Sequence, residues 1–190
     1  MAAESNTSSR MLFIVLAAFV IVSLAIGAYF YINDKPLVSA GQVLSLNIYP
    51  IHRELSTGPT GQGGLAGQSE TYDEVIVFAD VRITNQTDIP IFLQDMWAIL
   101  DLPDGPQRNG AATQSDFDKV FLAYPAARAF RKDPIQRDLT LPPGQKVEGL
   151  MVFHFDIPKA DWDARNGMDI HVTFQHQNAL VISIPKTAGS

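Results

Sequence analysis

The longest uninterrupted apolar run in the chain is Met11–Ile32, MLFIVLAAFVIVSLAIGAYFYI, with no charge, no proline and one glycine. A helix of that length extends about 33 Å, enough to cross the hydrocarbon core of a bilayer. Before it lies a short polar tail, MAAESNTSSR. After it, Asn33-Asp34-Lys35-Pro36 stops the helix, because proline cannot continue one and restricts the residue before it. Tyr29, Phe30 and Tyr31 sit where amphipathic aromatics favour the headgroup region. The pattern predicts a tail over 1–10, a single transmembrane helix over 11–32 and a juxtamembrane linker over 33–41.

From Gln42 onward the period changes from continuous to alternating. Gln42–Tyr49 sets Leu44, Leu46 and Ile48 against Val43, Ser45 and Asn47, which predicts a strand close to the end of the anchor. Glu54–Thr71 is rich in Gly, Ser and Thr and carries almost no large apolar side chain, so a mobile loop is expected there. Tyr72–Thr84 is the clearest strand, with Val75, Val77, Ala79, Val81 and Ile83 on one face. Asn85-Gln86-Thr87-Asp88 reads as a turn of residues that bond their own backbone. It also spells a glycosylation sequon, which the turn chemistry already explains.

Ile89–Leu100 is the return strand. Its alternation slips at Gln94-Asp95, where a bulge would bring Ile91 and Leu93 into phase with Met96, Ala98 and Leu100. Trp97 reads as a partly buried aromatic. Asp101–Gly110 reads as a long turn. In Gln114–Phe130, Ser115 can cap a short helix that places Phe117, Val120, Phe121 and Tyr124 at helical spacing and ends at Pro125. Arg128, Arg131, Lys132 and Arg137 then form a basic cluster, read as a solvated loop offset by Asp133 and Asp138. Gln145–Ile157, Met168–Gln175 and Ala179–Ile184 are further alternating strands, with Lys159–Gly167 a connection that contains Trp162.

Short strands separated by Pro, Gly and Asn turns, with one small helix, describe an antiparallel sandwich. The fold expected over 42–185 is therefore mainly β: an immunoglobulin-like antiparallel β-sandwich of about seven strands, with residues 186–190 a tail. The stretches EVIVFADVRITNQTDIPIFL and LPPGQKVEGLMVFHFDIP resemble a bacterial envelope domain family of unknown function. Its members are immunoglobulin-like and are secreted, lipid-anchored or anchored by one N-terminal helix. The helical insertion around Phe117–Tyr124 departs from its simplest members. The resemblance implies fold and location, and carries no activity with it.

Composition narrows the function classes. With 14 basic and 20 acidic residues the formal charge is −6, which argues against nucleic acid, where Lys and Arg must neutralise phosphates. The absence of cysteine excludes disulfides, thiolate metal sites, thiol nucleophiles and lipidated-cysteine anchoring. Neither a Gly-x-Ser-x-Gly elbow nor an HExxH or GxxxxGK[ST] motif occurs. If the strands ending at Ile157 and starting at Met168 paired, His154, Asp156, Asp169 and His171 would meet on an outward face and offer zinc-type ligands. Exposed strands carry such residues without metal, so no catalytic, cofactor-binding or metal residue is assigned.

The sequence reading is a single-pass protein of the inner (cytoplasmic) membrane. A tail so short before an apolar run resembles a signal-anchor, with the C-terminal domain extracytoplasmic. A cleaved signal peptide competes, since Val38-Ser39-Ala40 offers small residues, but the apolar run exceeds the usual h-region of about 7–15 residues. The domain is expected to act by binding a protein partner in the envelope rather than by catalysis. The alternatives are an accessory subunit of a larger membrane assembly, or a metal-binding or enzymatic envelope protein using the outward His/Asp face.

Overall fold

A computed structural model describes residues 4–33, 38–57 and 68–186, in two compact units, Met1–Pro36 and Leu37–Ser190. In the first unit, helix α1 spans Glu4–Asn33 and includes most of the polar tail. Its segment Met11–Tyr29 is long and apolar enough to cross a membrane. Leu12, Phe13, Phe19, Ile21 and Leu24 are all exposed, so the apolar surface runs around the helix instead of forming one stripe.

The second unit holds two antiparallel sheets. Strands β1 (Ser39–Thr57) and β2 (Gln68–Asn85) form one long hairpin ladder, and β2 also pairs with β6 (Lys146–Phe155). The other sheet orders β4 (Gly105–Gly110), β3 (Ile91–Leu102), β7 (Gly167–Phe174) and β8 (Leu180–Pro185). The two-residue β5 (Thr140–Leu141) pairs with the start of β3. The register of β3 against β7 shifts between Leu93 and Asp95, where the alternation slips.

Both sheets contribute to one apolar core: Val77, Val81, Phe153 and Phe155 from the first, Met96, Leu100, Ile170 and Val172 from the second. All five predicted inward residues of β2 are fully buried. A second cluster lies on the opposite face of β2 and β6, where Ile76, Phe78, Leu150 and Val152 meet helix α2 (Gln114–Ala123) and the 3-10 helix Pro125–Phe130. Phe78 is ringed there by Phe121 at 5.6 Å and Phe130 at 5.5 Å between centroids.

Several expectations are corrected. The ends of the supposed loop Glu54–Thr71 are strand, with Glu54 opposite Thr71 and Thr57 opposite Gln68. A hairpin ladder is held by backbone hydrogen bonds and does not require apolar side chains at each position. Residues 58–67 of that stretch lie outside the described residues. The supposed long turn Asp101–Gly110 is the tip of β3 followed by β4, turning at Pro103-Asp104. Its residues GPQRNG carry no apolar signal because β4 is an edge strand, where Pro106 is tolerated. The α2 cap is Thr113, not Ser115: its Oγ1 accepts from the Asp116 N–H at 3.3 Å. The connection after β6 contains a short helix, α3 (Lys159–Ala164), whose Trp162 is buried in the main core.

Two corners fix the sheets. Pro142-Pro143-Gly144-Gln145 closes with a Gln145 N–H to Pro142 carbonyl bond of 3.2 Å, with Gly144 at φ +67°, the conformation a type II turn requires at its third residue. Asn85, fully buried, meets this corner. Its Nδ2 shares its hydrogens among the carbonyls of Ile89 (2.8 Å), Leu141 (2.9 Å) and Pro142 (3.1 Å), and its Oδ1 accepts from the Thr87 N–H at 2.9 Å.

Candidate functional site

The helix layer does not cover the whole outer face of β2 and β6. At its edge a cleft of about 430 Å³ opens between α2, the end of β4 and these two strands. Ile76, Val120 and Val152 form its apolar wall, and Glu74, Asn109, Thr113, Asp116, Tyr124 and His154 bring polar groups to it.

The alternation of the strands places these groups. Glu74 and Ile76 share a face of β2, as Val152 and His154 do of β6, and the register sets Ile76 opposite His154. His154 Nε2 lies 3.2 Å from Glu74 Oε2 and 3.5 Å from Asp156 Oδ1, so a carboxylate stands on either side of the imidazole. The Asn109 side-chain amide donates to the His154 carbonyl and ties β4 to this end of β6.

The Tyr124 hydroxyl accepts from Arg53 Nη2 at 2.6 Å and feels the Glu74 charge. Burial, together with the Glu74 charge, pushes the Tyr124 phenol above its ordinary range, so it remains protonated at neutral pH. At the other end of the cleft the Thr113 hydroxyl and then Lys119 hold the Asp116 carboxyl below its usual range. Asp116 thus has its cation, whereas among the described residues Glu74 and Asp156 are ion-paired with the His154 imidazole alone.

The expected quartet of His154, Asp156, Asp169 and His171 does not assemble. β6 pairs with β2 and β7 pairs with β3 and β8, so the two histidines belong to different sheets with the main core between them. Their strands are adjacent in sequence, but α3 carries the chain from one sheet to the other. On the far sheet His171 stacks on Trp97, ring centroids 5.4 Å apart and planes 5° from parallel, and Arg108 covers the same indole at 4.3 Å. Trp97 is partly buried, as its position predicts.

The basic cluster is not offset by Asp133 and Asp138. Arg128 Nε donates to the Phe121 carbonyl at 3.1 Å, satisfying an orphan acceptor at the end of α2. Arg131 pairs with Asp118 at 2.8 Å, and Lys132 with the buried Asp80. Arg137 Nη2 donates to the Ala111 carbonyl at 2.8 Å, and its Nε lies 3.2 Å from Asp95 as an ion pair without hydrogen-bond alignment. Arg128 and Arg131 fasten the segment after α2 back onto α2, and Lys132 and Arg137 fasten it to β2 and β3. Spacing in the sequence reveals the cluster but not its partners, which come from α2, β2, β3 and the connection after β4.

The carboxylate–imidazole group was missed in part. His154 and Asp156 stand out on an alternating strand, but Glu74 comes from a strand far away in the sequence, and only the β2–β6 register joins them.

No family model matches the chain, and no curated protein matches it in sequence. Among solved structures, similarity is found to a functionally unknown protein from Listeria monocytogenes EGD-e, at 13% identity and TM-score 0.37, over 77% of this chain and 80% of that one. A conserved hypothetical protein from Bacillus anthracis is similar at 10% identity and TM-score 0.29, over 78% of this chain and 99% of that one. These structural neighbours are bacterial proteins without an assigned role, and likeness at this level transfers no activity.

Proposed function

We propose that this chain is a single-pass protein of the bacterial cell envelope. It is held in the cytoplasmic membrane by α1 and presents an immunoglobulin-like β domain on the outer side, where it acts by binding a protein partner and not by catalysis. The observation that carries the reading is the uncharged segment Met11–Tyr29, apolar on every side, directly ahead of a β domain. Exposing that much apolar surface to water is unfavourable, and a bilayer removes the cost. The two sheets around one core support the immunoglobulin-like description. The large fraction of cationic side chains engaged in intramolecular pairs supports a partner other than a polyanion.

Topology is tested in spheroplasts expressing the full chain. Added protease is expected to remove the β domain while α1 stays with the membrane after alkaline carbonate extraction. Protection of the domain, or a mature N-terminus at Gly41, overturns the reading. Crosslinking in the intact membrane, with and without replacement of α1 by an unrelated apolar helix, separates a partner bound by the domain from one bound by the helix.

A further inference from the structure

We propose that Glu74, His154 and Asp156 form a binding site for a zinc-class divalent cation at the mouth of the cleft beside α2. The inference does not depend on the membrane reading.

The donor set is chemically suited to such an ion: one imidazole nitrogen and two carboxylates, with no thiol in the chain. The geometry is suited as well. A tetrahedral ion with bonds of about 2.0–2.1 Å holds its ligand atoms roughly 3.3 Å apart. His154 Nε2 lies 3.2 Å from Glu74 Oε2 and 3.5 Å from Asp156 Oδ1, and the three ligand atoms all lie within 4.8 Å of one another. Only a small closing movement of Asp156, whose side chain is 83% exposed, is needed to seat the third ligand.

A supporting shell is already in place. Tyr124, fixed by Arg53, lines the same cleft as Glu74, and the Asn109 amide ties down the backbone of His154. Two ligands, Glu74 and His154, line the cleft. Three protein ligands leave a tetrahedral ion one coordination position, so a bound ion could take a carboxylate, imidazole or water donor there.

The test uses the full chain in detergent micelles, stripped with chelator and titrated with zinc by calorimetry and with cobalt(II) by absorption. One ion per chain is expected, with Kd of order micromolar or tighter, and cobalt should show the intense visible bands of a four-coordinate site. His154→Ala and Asp156→Asn are each expected to weaken zinc at least tenfold. His52→Ala alters a different histidine flanked by carboxylates and should leave the titration unchanged. Asp156→Asn serves if His154→Ala fails to fold, because Asp156 is exposed. The proposal is overturned if zinc binds only at millimolar concentration, or if its affinity survives Asp156→Asn, or if His52→Ala abolishes it.

Discussion

The two sheets of the β domain share one core but differ in what lies on their other side. β2 and β6 are buried on both faces: Val75 through Val81 are buried without a break, as are Gly149 through Phe153. β7 alternates strictly, with Met168, Ile170, Val172 and Phe174 buried and the residues between them part-exposed. The difference is the helix layer. Where α2 and the segment after it cover a sheet, the strand must be apolar on both sides, and where solvent or a thin polar layer covers it, the period-2 pattern survives. The uncovered face is occupied by the Arg108–Trp97–His171 stack, a partly polar surface that needs no further layer.

This contrast is broken most severely at Phe78. Phe78→Ala removes the ring around which Phe121 and Phe130 pack, on the face away from the main core. A loss of about 3–5 kcal/mol is expected, read as a fall in Tm of roughly 10 °C for the full chain in detergent. Asp169→Ala, on the outward face of β7, should change Tm by no more than about 2 °C. Similar falls at both positions would mean that the helix layer contributes little.

A smaller effect is expected where the strap after α2 crosses β6. A Cβ on Gly149 would meet the Asp133 carbonyl oxygen at 2.8 Å and the Ile135 nitrogen at 2.9 Å, both backbone atoms. The Leu150 N–H donates to that same Asp133 carbonyl at 2.8 Å, so the strap has little freedom to retreat. Gly149→Ala should cost about 1–3 kcal/mol. Amide hydrogen exchange should show the loss of protection at Leu150 and Ile135, with β7 and β8 unchanged.

The smallest effect concerns the far end of the β1–β2 hairpin, where His52 Nδ1 bonds to Asp73 at 2.6 Å and Nε2 faces Glu54 at 3.5 Å. The Asp73 bond, then the Glu54 bond, raises the His52 pKa above its ordinary 6.5. A raised folded value means that the contribution to stability is present in full below the unfolded pKa and fades as pH rises through the folded one. The stability gap between the native chain and His52→Gln should therefore be larger at pH 5.5 than at pH 8.5. Ring NMR signals of His52 should titrate above 6.5, and a value below it would contradict the pairing.

The same contrast explains how far the sequence could be read. The alternating strands β3, β7 and β8 were legible because one polar face marks each of them, and the slip at Gln94-Asp95 marked the bulge. The second cluster was not. Ile76, Phe78, Leu150 and Val152 sit among other apolar residues, and a run such as VIVFA is read first by its strongest alternation. The apolar face of α2, Phe117 and Phe121, was visible, but nothing local says which sheet it covers. Strand pairing was the other illegible quantity. The placement of β6 beside β2, and not beside β7, dissolved the expected histidine pair and brought Glu74 to His154 in its place. Hydrogen bonds between distant strands leave no periodicity in the chain.

The order of strands in the first sheet also sets a timetable for synthesis. β1 and β2 are neighbours in sequence and can zip together as soon as both have emerged, since local closure is fast. The other edge of β2 has to wait for β6, because Val75 pairs with Phe155 and Thr84 with Lys146. Until then the nascent hairpin carries an unpaired edge with apolar side chains on both of its surfaces, the kind of template on which chains add to one another. The vulnerable stage runs from the emergence of Asn85 until α2 and β6 follow to shield the hairpin.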